Sequence, residues 1–300
     1  MADTTITNLP VASPLSTDVF PIVNNGTTKQ VSLSSAFTNL VSLSGVVTNN
    51  SSYIYVTTTS NTTVNGTNLL NAYATACALT PNGSALSSTN RAVVILMPGT
   101  YTTTSGLQLS AQYVDIVGMS SDANHTIIDI VNQTANDVQV SNITVATNGC
   151  TLASNLSLTI WTNCVVSNSI DYGGGFGNNI LSGTFTNCTG SSSSSTYHSG
   201  GGFGGVSSTL SGTFTNCTGS NSSIYAGGFG GYLSTLSGTF TNCTGSNSGG
   251  YGYGFCGYLS TLSGTFINCF SQTDIGFANG PGTAKIRNYV DANGNIYNYN

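Results

Sequence analysis

Glutamate is absent from this chain of 300 residues, and only four residues are Lys or Arg. Long exposed helices depend on Lys and Glu for solubility and for i,i+4 pairing, so a helical protein is excluded. Nucleic-acid binding is excluded too, because phosphate contacts need cations and the formal net charge is −5. No apolar run approaches the length of a membrane span, and residues 1–10 lack the cationic-then-apolar layout of a signal peptide. No His/Cys cluster has zinc spacing, so neither a metal nor another cofactor is expected. What remains to face water is Ser, Thr, Asn and Gly, which favour turns and β structure.

The chain spells "LSGTFTNCTG" at Leu181–Gly190, Leu210–Gly219 and Leu236–Gly245, and "LSGTFINCFS" at Leu262–Ser271. A repeat period in the range of ~20–50 residues marks a solenoid. Within a copy, Leu210, Gly212 and Phe214 alternate with Ser211 and Thr213, which is strand periodicity. Asn216 suits a left-handed corner, and Cys217 restarts the inward face. "GGFGG" adds a second aromatic, Phe229, between glycines. Short strands and corners in each unit make one coil of a parallel β-helix, whose inner side chains are buried only by stacking. "LTIWTNC" at Leu158–Cys164 reads as a degenerate first copy, with Trp161 in the place of Phe.

The fold expected is therefore all-β: a right-handed parallel β-helix over 65–277, with regular repeats at about 156–270 and roughly seven coils in all. Phe185, Phe214, Phe240 and Phe266 should form one inward ladder, and Cys188, Cys217, Cys243 and Cys269 another. Stacked strands set equivalent residues ~4.8 Å apart, whereas a disulfide wants Cβ atoms nearer ~3.8 Å. The cysteines are thus expected to be reduced. "TNLLNAYATACAL" should be a capping helix, with Leu70, Tyr73, Ala74 and Cys77 on its apolar stripe and Thr67 or Asn68 at its start. Residues 1–40 form a proline-rich N-terminal segment without repeats, and 41–64 an extended linker. Residues 278–300 should form a C-terminal hairpin, with alternating runs around "DANG".

Two stretches carry a resemblance. Ile6, Leu9-Pro10, Ala12, Leu15, Asp18, Phe20-Pro21, Val23 and Gly26–Lys29 resemble the short N-terminal segment of phage tail and other virion proteins. "TNLLNAYATACAL" followed by "RAVVILMPGTY" resembles the first coil of pectate-lyase-like β-helices, a fold of polysaccharide lyases, pectinesterases and phage tailspikes. The resemblance implies attachment to a tail or baseplate adaptor through Ile6, Leu9, Pro10, Asp18, Phe20 and Pro21. It also implies an outward-projecting, homotrimeric spike that binds host-surface glycan on a virion. In a trimer, Ile286, Val290 and Ile296 of the C-terminal hairpin would pack against their symmetry mates.

Glycan cleavage needs paired acids, yet no Asp, Lys or Arg occurs from Gly175 to Gln272, where His198 is the one titratable base. Asp115 and Asp129 fall in alternating strands and should point outward. Asp122 belongs to a turn, and Arg91 to a local pair. Asp122 and Asp129 are the weak catalytic candidates, and no catalytic residue is assigned. Tyr225, Tyr232, Tyr251, Tyr253 and Tyr258, beside glycines in the repeat loops, are the candidates for sugar binding. A polysaccharide depolymerase and a capsid or baseplate decoration protein are the alternatives to a binding spike. An ice- or mineral-binding solenoid fits the Thr pairs but not the N-terminal segment.

Overall fold

A computed structural model describes residues 19–24, 27–32, 52–146, 149–154, 156–169, 173–177, 180–193, 200–272, 285–290, 294 and 296–299. The chain divides into two compact units, Met1–Ser51 and Ser52–Asn300. In the first, Val19–Asn24 and Thr27–Ser32 pair antiparallel, with Phe20 opposite Val31 and Pro21 opposite Gln30. The residues between its strands are Asn25 and Gly26, a strong hairpin signal. Ile6, Leu9, Pro10 and Asp18 lie outside the described residues.

The second unit is a right-handed parallel β-helix. Its first sheet stacks ten strands side by side: Tyr53–Val56, Ala92–Leu96, Val114–Gly118, Gln139–Ser141, Ile160–Thr162, Thr184–Thr186, Thr213–Thr215, Thr239–Thr241, Thr265–Ile267 and Lys285–Val290. At ~4.8 Å per step the ten strands span on the order of 43 Å. Two sequence expectations changed at its ends. The stretch 41–64 is not all linker, because Tyr53–Val56 pairs in parallel with residues 93–96 and opens the stack. At the other end Lys285–Val290 pairs with Thr265–Ile267 and, through Val290, with Phe270, then turns back antiparallel to Ile296–Tyr299. The C-terminal hairpin thus extends the last coil.

Helix α1 spans Thr62–Cys77 and starts five residues before the expected cap. Asn61 is the N-cap; its Oδ1 accepts from the amides of Thr63 and Val64 at 3.0 and 3.1 Å. The buried face is Leu69, Tyr73 and Ala76, whereas Ala74 is exposed. The stripe is turned by one residue, because Gly66 must face the first coil. A Cβ there would come within 1.9 Å of the Thr102 carbonyl oxygen.

The core is a set of files running along the rod. One file holds Ile54, Val94, Ile116, Val140, Trp161, Phe185, Phe214, Phe240, Phe266 and, by backbone register, Ile286. The four phenylalanine rings stack at 4.9, 4.7 and 4.7 Å. A second file, Phe176, Phe203, Phe229 and Phe255, stacks at 4.8, 4.7 and 4.9 Å and meets the first edge-on. Offset and edge-on arrangements suit the ring quadrupole.

The change from aliphatic to aromatic along the first file has a steric cause. In the early coils a third sheet, Leu107–Leu109, Val131–Gln133 and Cys150–Leu152, supplies aliphatic filling. In the later coils "GGFGG" replaces it, and the coil is pinched. A Cβ on Gly219 would meet the Gly228 carbonyl oxygen at 2.3 Å, and one on Gly245 would meet Gly254 at 2.2 Å. Backbone thus lies on backbone, and the rings fill what is left. Trp161, at the transition, donates its indole N–H to Gln133 Oε1 at 3.0 Å, so its buried polar atom is satisfied.

Cys164, Cys188, Cys217, Cys243 and Cys269 form a buried file of free thiols. Each of the last three donates to the carbonyl of the Phe one coil back: Cys217 to Phe185 and Cys243 to Phe214 at 3.3 Å, and Cys269 to Phe240 at 3.4 Å. Burial pushes the thiols of Cys150 and Cys188 well above the ordinary cysteine range. The thiolate is the reactive form. A reagent cannot reach the ladder thiols, which are 0–1% exposed, so in the native protein they should be silent to a thiol-specific reagent at neutral pH, and all eight cysteines should react in denaturant. Native ladder thiols that react as fast as the unfolded chain would refute this packing.

Between the first and second sheets the chain turns on Asn142, Asn163, Asn187, Asn216, Asn242 and Asn268, with φ between +51° and +58°. Their amides are linked coil to coil, from Asn163 Nδ2 to Asn142 Oδ1 at 3.2 Å through Asn268 to Asn242 at 3.3 Å. Asparagine serves twice: it tolerates the left-handed backbone and closes the ladder.

Candidate functional site

The second sheet of the regular coils carries Thr189–Ser192, Thr218–Asn221 and Thr244–Asn247 in register. At the C-terminal ends of these strands lies a groove of about 490 Å³. It runs across four coils and is lined by Ser191–Ser193, Ser220–Ser222, Ser246–Ser248 and Gln272. Asn221 and Asn247 also line it, though their side chains are buried. The groove contains no charge. Hydroxyls and amides offer donors and acceptors at every coil step, the pairing that sugar hydroxyls require.

Three residues beyond Ser222 and Ser248 stand Tyr225 and Tyr251, stacked at 5.5 Å. Tyr225 also meets Tyr232 at 6.0 Å and Tyr258 at 5.5 Å, and Tyr232 stacks on Tyr258 at 6.5 Å. Four of the five candidate tyrosines therefore make one cluster at one corner of the rod. Tyr253 does not belong to it. It takes the place of Gly227 one coil earlier and is buried, which raises its pKa. Leu233 and Leu259 follow Tyr232 and Tyr258 at φ +57°. For a bulky L-residue that conformation costs roughly 1–2 kcal/mol. The groove itself had no sequence signal beyond the register of the "TGSN" segments, because a serine at a strand end is common in any coil.

The acids are engaged elsewhere. Asp115 lies on the outer side of its strand but is buried rather than solvated: Arg91 Nε and Nη2 bind its two oxygens at 2.7 and 2.5 Å, and the Gln139 amide adds a bond at 2.8 Å. Arg91 Nη2 also donates to the Asp137 carbonyl at 2.6 Å, and the guanidinium lies 5.5 Å over the Tyr113 ring. The carboxylate raises the pKa of Arg91. Asp129 accepts from the Thr103 amide at 2.8 Å and hydroxyl at 2.6 Å, and so ties two coils together instead of facing solvent freely.

Asp122 caps the short helical turn Ala123–His125, and its bonds from Asn124 lower its pKa. Ser120 Oγ lies 2.9 Å from His125 Nδ1, and His125 Nε2 lies 3.8 Å from Asp122. This Ser–His–Asp grouping escaped the sequence reading. It is exposed, and the serine oxygen accepts the Asp122 amide at 3.1 Å, the geometry of a capped turn and not of an activated nucleophile. Among the described residues no cluster of His, Cys, Asp or Glu could hold a metal ion, and no helix is long and apolar enough to cross a membrane. His198 lies outside the described residues.

Fold and site together define a β-solenoid with an uncharged polar groove and an aromatic corner. No protein-family model matches the chain, and neither does any curated protein or solved structure.

Proposed function

We propose that this chain is a rigid β-helical spike that binds uncharged host-surface glycan and does not cleave it, carried on a virion as a phage tailspike or tail fibre. One observation carries the reading: a groove spanning four coils holds only Ser, Asn and Gln, and stacked Tyr225 and Tyr251 follow its lining residues by three positions along the chain. Each contact would be weak, and repetition along the rod and among copies would supply the avidity. In this reading residues 1–40 attach to a tail or baseplate adaptor. The working unit is a homotrimer, for which the C-terminal Ile296, 65% exposed in the single chain, offers an apolar contact.

The test is to incubate the purified full-length protein with a panel of neutral and acidic bacterial surface polysaccharides. Saturable binding without product release is expected, from particles of trimer mass in light scattering. Ser246→Trp, which fills the groove, should weaken binding at least tenfold. Release of short oligosaccharides, abolished by Asp122→Ala or Asp129→Ala, would replace this reading with a depolymerase. Absence of binding to every polysaccharide would reject it.

A further inference from the structure

Leu233 and Leu259 stand at the corner beside the tyrosine cluster, 47% and 46% exposed, and both have left-handed backbone. One coil earlier the same corner is occupied by Ser207 at φ +56°. The asparagine corners show a second residue type that accepts such angles. Neither the fold nor solubility therefore calls for leucine at these two places, and both the strain and the exposure work against it. Strain of this kind at a surface site points to function.

The two leucines are held in step. The Leu233 amide donates to the Tyr258 carbonyl at 3.2 Å, and the Ser207 amide donates to Tyr232 at 2.8 Å. Each leucine directly follows a tyrosine of the stacked pair Tyr232–Tyr258. Adjacent coils thus present an aromatic face and a branched aliphatic group together. No Lys, Arg or Asp occurs in the sequence from 173 to 272, so an acidic ligand would find no fixed positive charge on these coils and His198 as the one titratable base.

We infer that this corner selects neutral sugars carrying a methyl group, a 6-deoxyhexose or an N-acetylhexosamine, over acidic sugars and over plain hexoses. The inference rests on the glycan-binding reading above. Tyrosine would meet the C–H face of the ring. The leucines would bury the methyl, and a single buried methylene-sized group is worth about fourfold in affinity.

Calorimetric titration of the full-length protein with matched oligosaccharides tests this: rhamnose against mannose, N-acetylglucosamine against glucose, and glucuronate. The methyl-bearing member of each pair should bind about fourfold tighter, and glucuronate should not bind. Leu233→Asn with Leu259→Asn should abolish the preference. Its melting temperature should be unchanged or higher, since asparagine accepts the backbone. Equal affinities in the native protein, or a preference that survives the double substitution, would overturn the inference and leave the glycan reading standing. No binding of any sugar would overturn both.

Discussion

Phe214→Ala should destabilise the β-helix by about 3–5 kcal/mol. The ring is wholly buried between Phe185 and Phe240, stacked at 4.9 and 4.7 Å, and it meets Phe203 and Phe229 edge-on at 5.5 and 6.0 Å. Removing it deletes four ring contacts as well as its transfer free energy. The site cannot collapse, because the glycine backbones that flank the rings already touch. Phe214→Leu, which retains most of the volume, should cost less than half as much. The single tryptophan, Trp161, lies in the same file two coils away and is fully buried, so its fluorescence reports the loss of the stack. Because coils couple to their neighbours, the denaturation midpoint of the whole rod should fall and not that of one coil alone. A loss under about 1 kcal/mol would mean that the two ring files are not interlocked.

Arg91→Ala should destabilise by a similar amount, about 3–5 kcal/mol, because it leaves the Asp115 carboxylate buried without its partner. In the native protein that carboxylate takes three bonds, two from Arg91 and one from the Gln139 amide. Replacing the pair together, Arg91→Met with Asp115→Leu, should recover most of the loss, since a buried ion pair gives little net stability over apolar groups of like volume. Denaturant titration of the two variants separates the outcomes. If the single substitution cost no more than a surface pair, under about 1 kcal/mol, Asp115 would have to be reached by water in solution.

The repeat determined the stack by itself. A 26-residue phrase with Leu, Phe and Cys on one face and Asn at the corner leaves few other arrangements. Identical side chains bury one another only when coils lie in register, and Asn216 and its equivalents carry the left-handed corner with them. The reduced state of the cysteines followed from the same spacing. Tertiary structure decided what the non-repeating chain covers. Asp115 faces outward by strand alternation, yet Arg91 closes over it, and no local pattern announces that contact. Tyr253 looked like its neighbouring tyrosines until the coil placed it where Gly227 stands one turn earlier. The helix begins at Thr62 within a stretch of Ser, Thr and Asn that reads as linker. Its start is fixed by Asn61 as cap and by Gly66 against Thr102, a contact 36 residues away in sequence. Period and corner chemistry are local and therefore written in the sequence, whereas burial at the ends, the corners and the groove depends on which distant segment arrives to cover it.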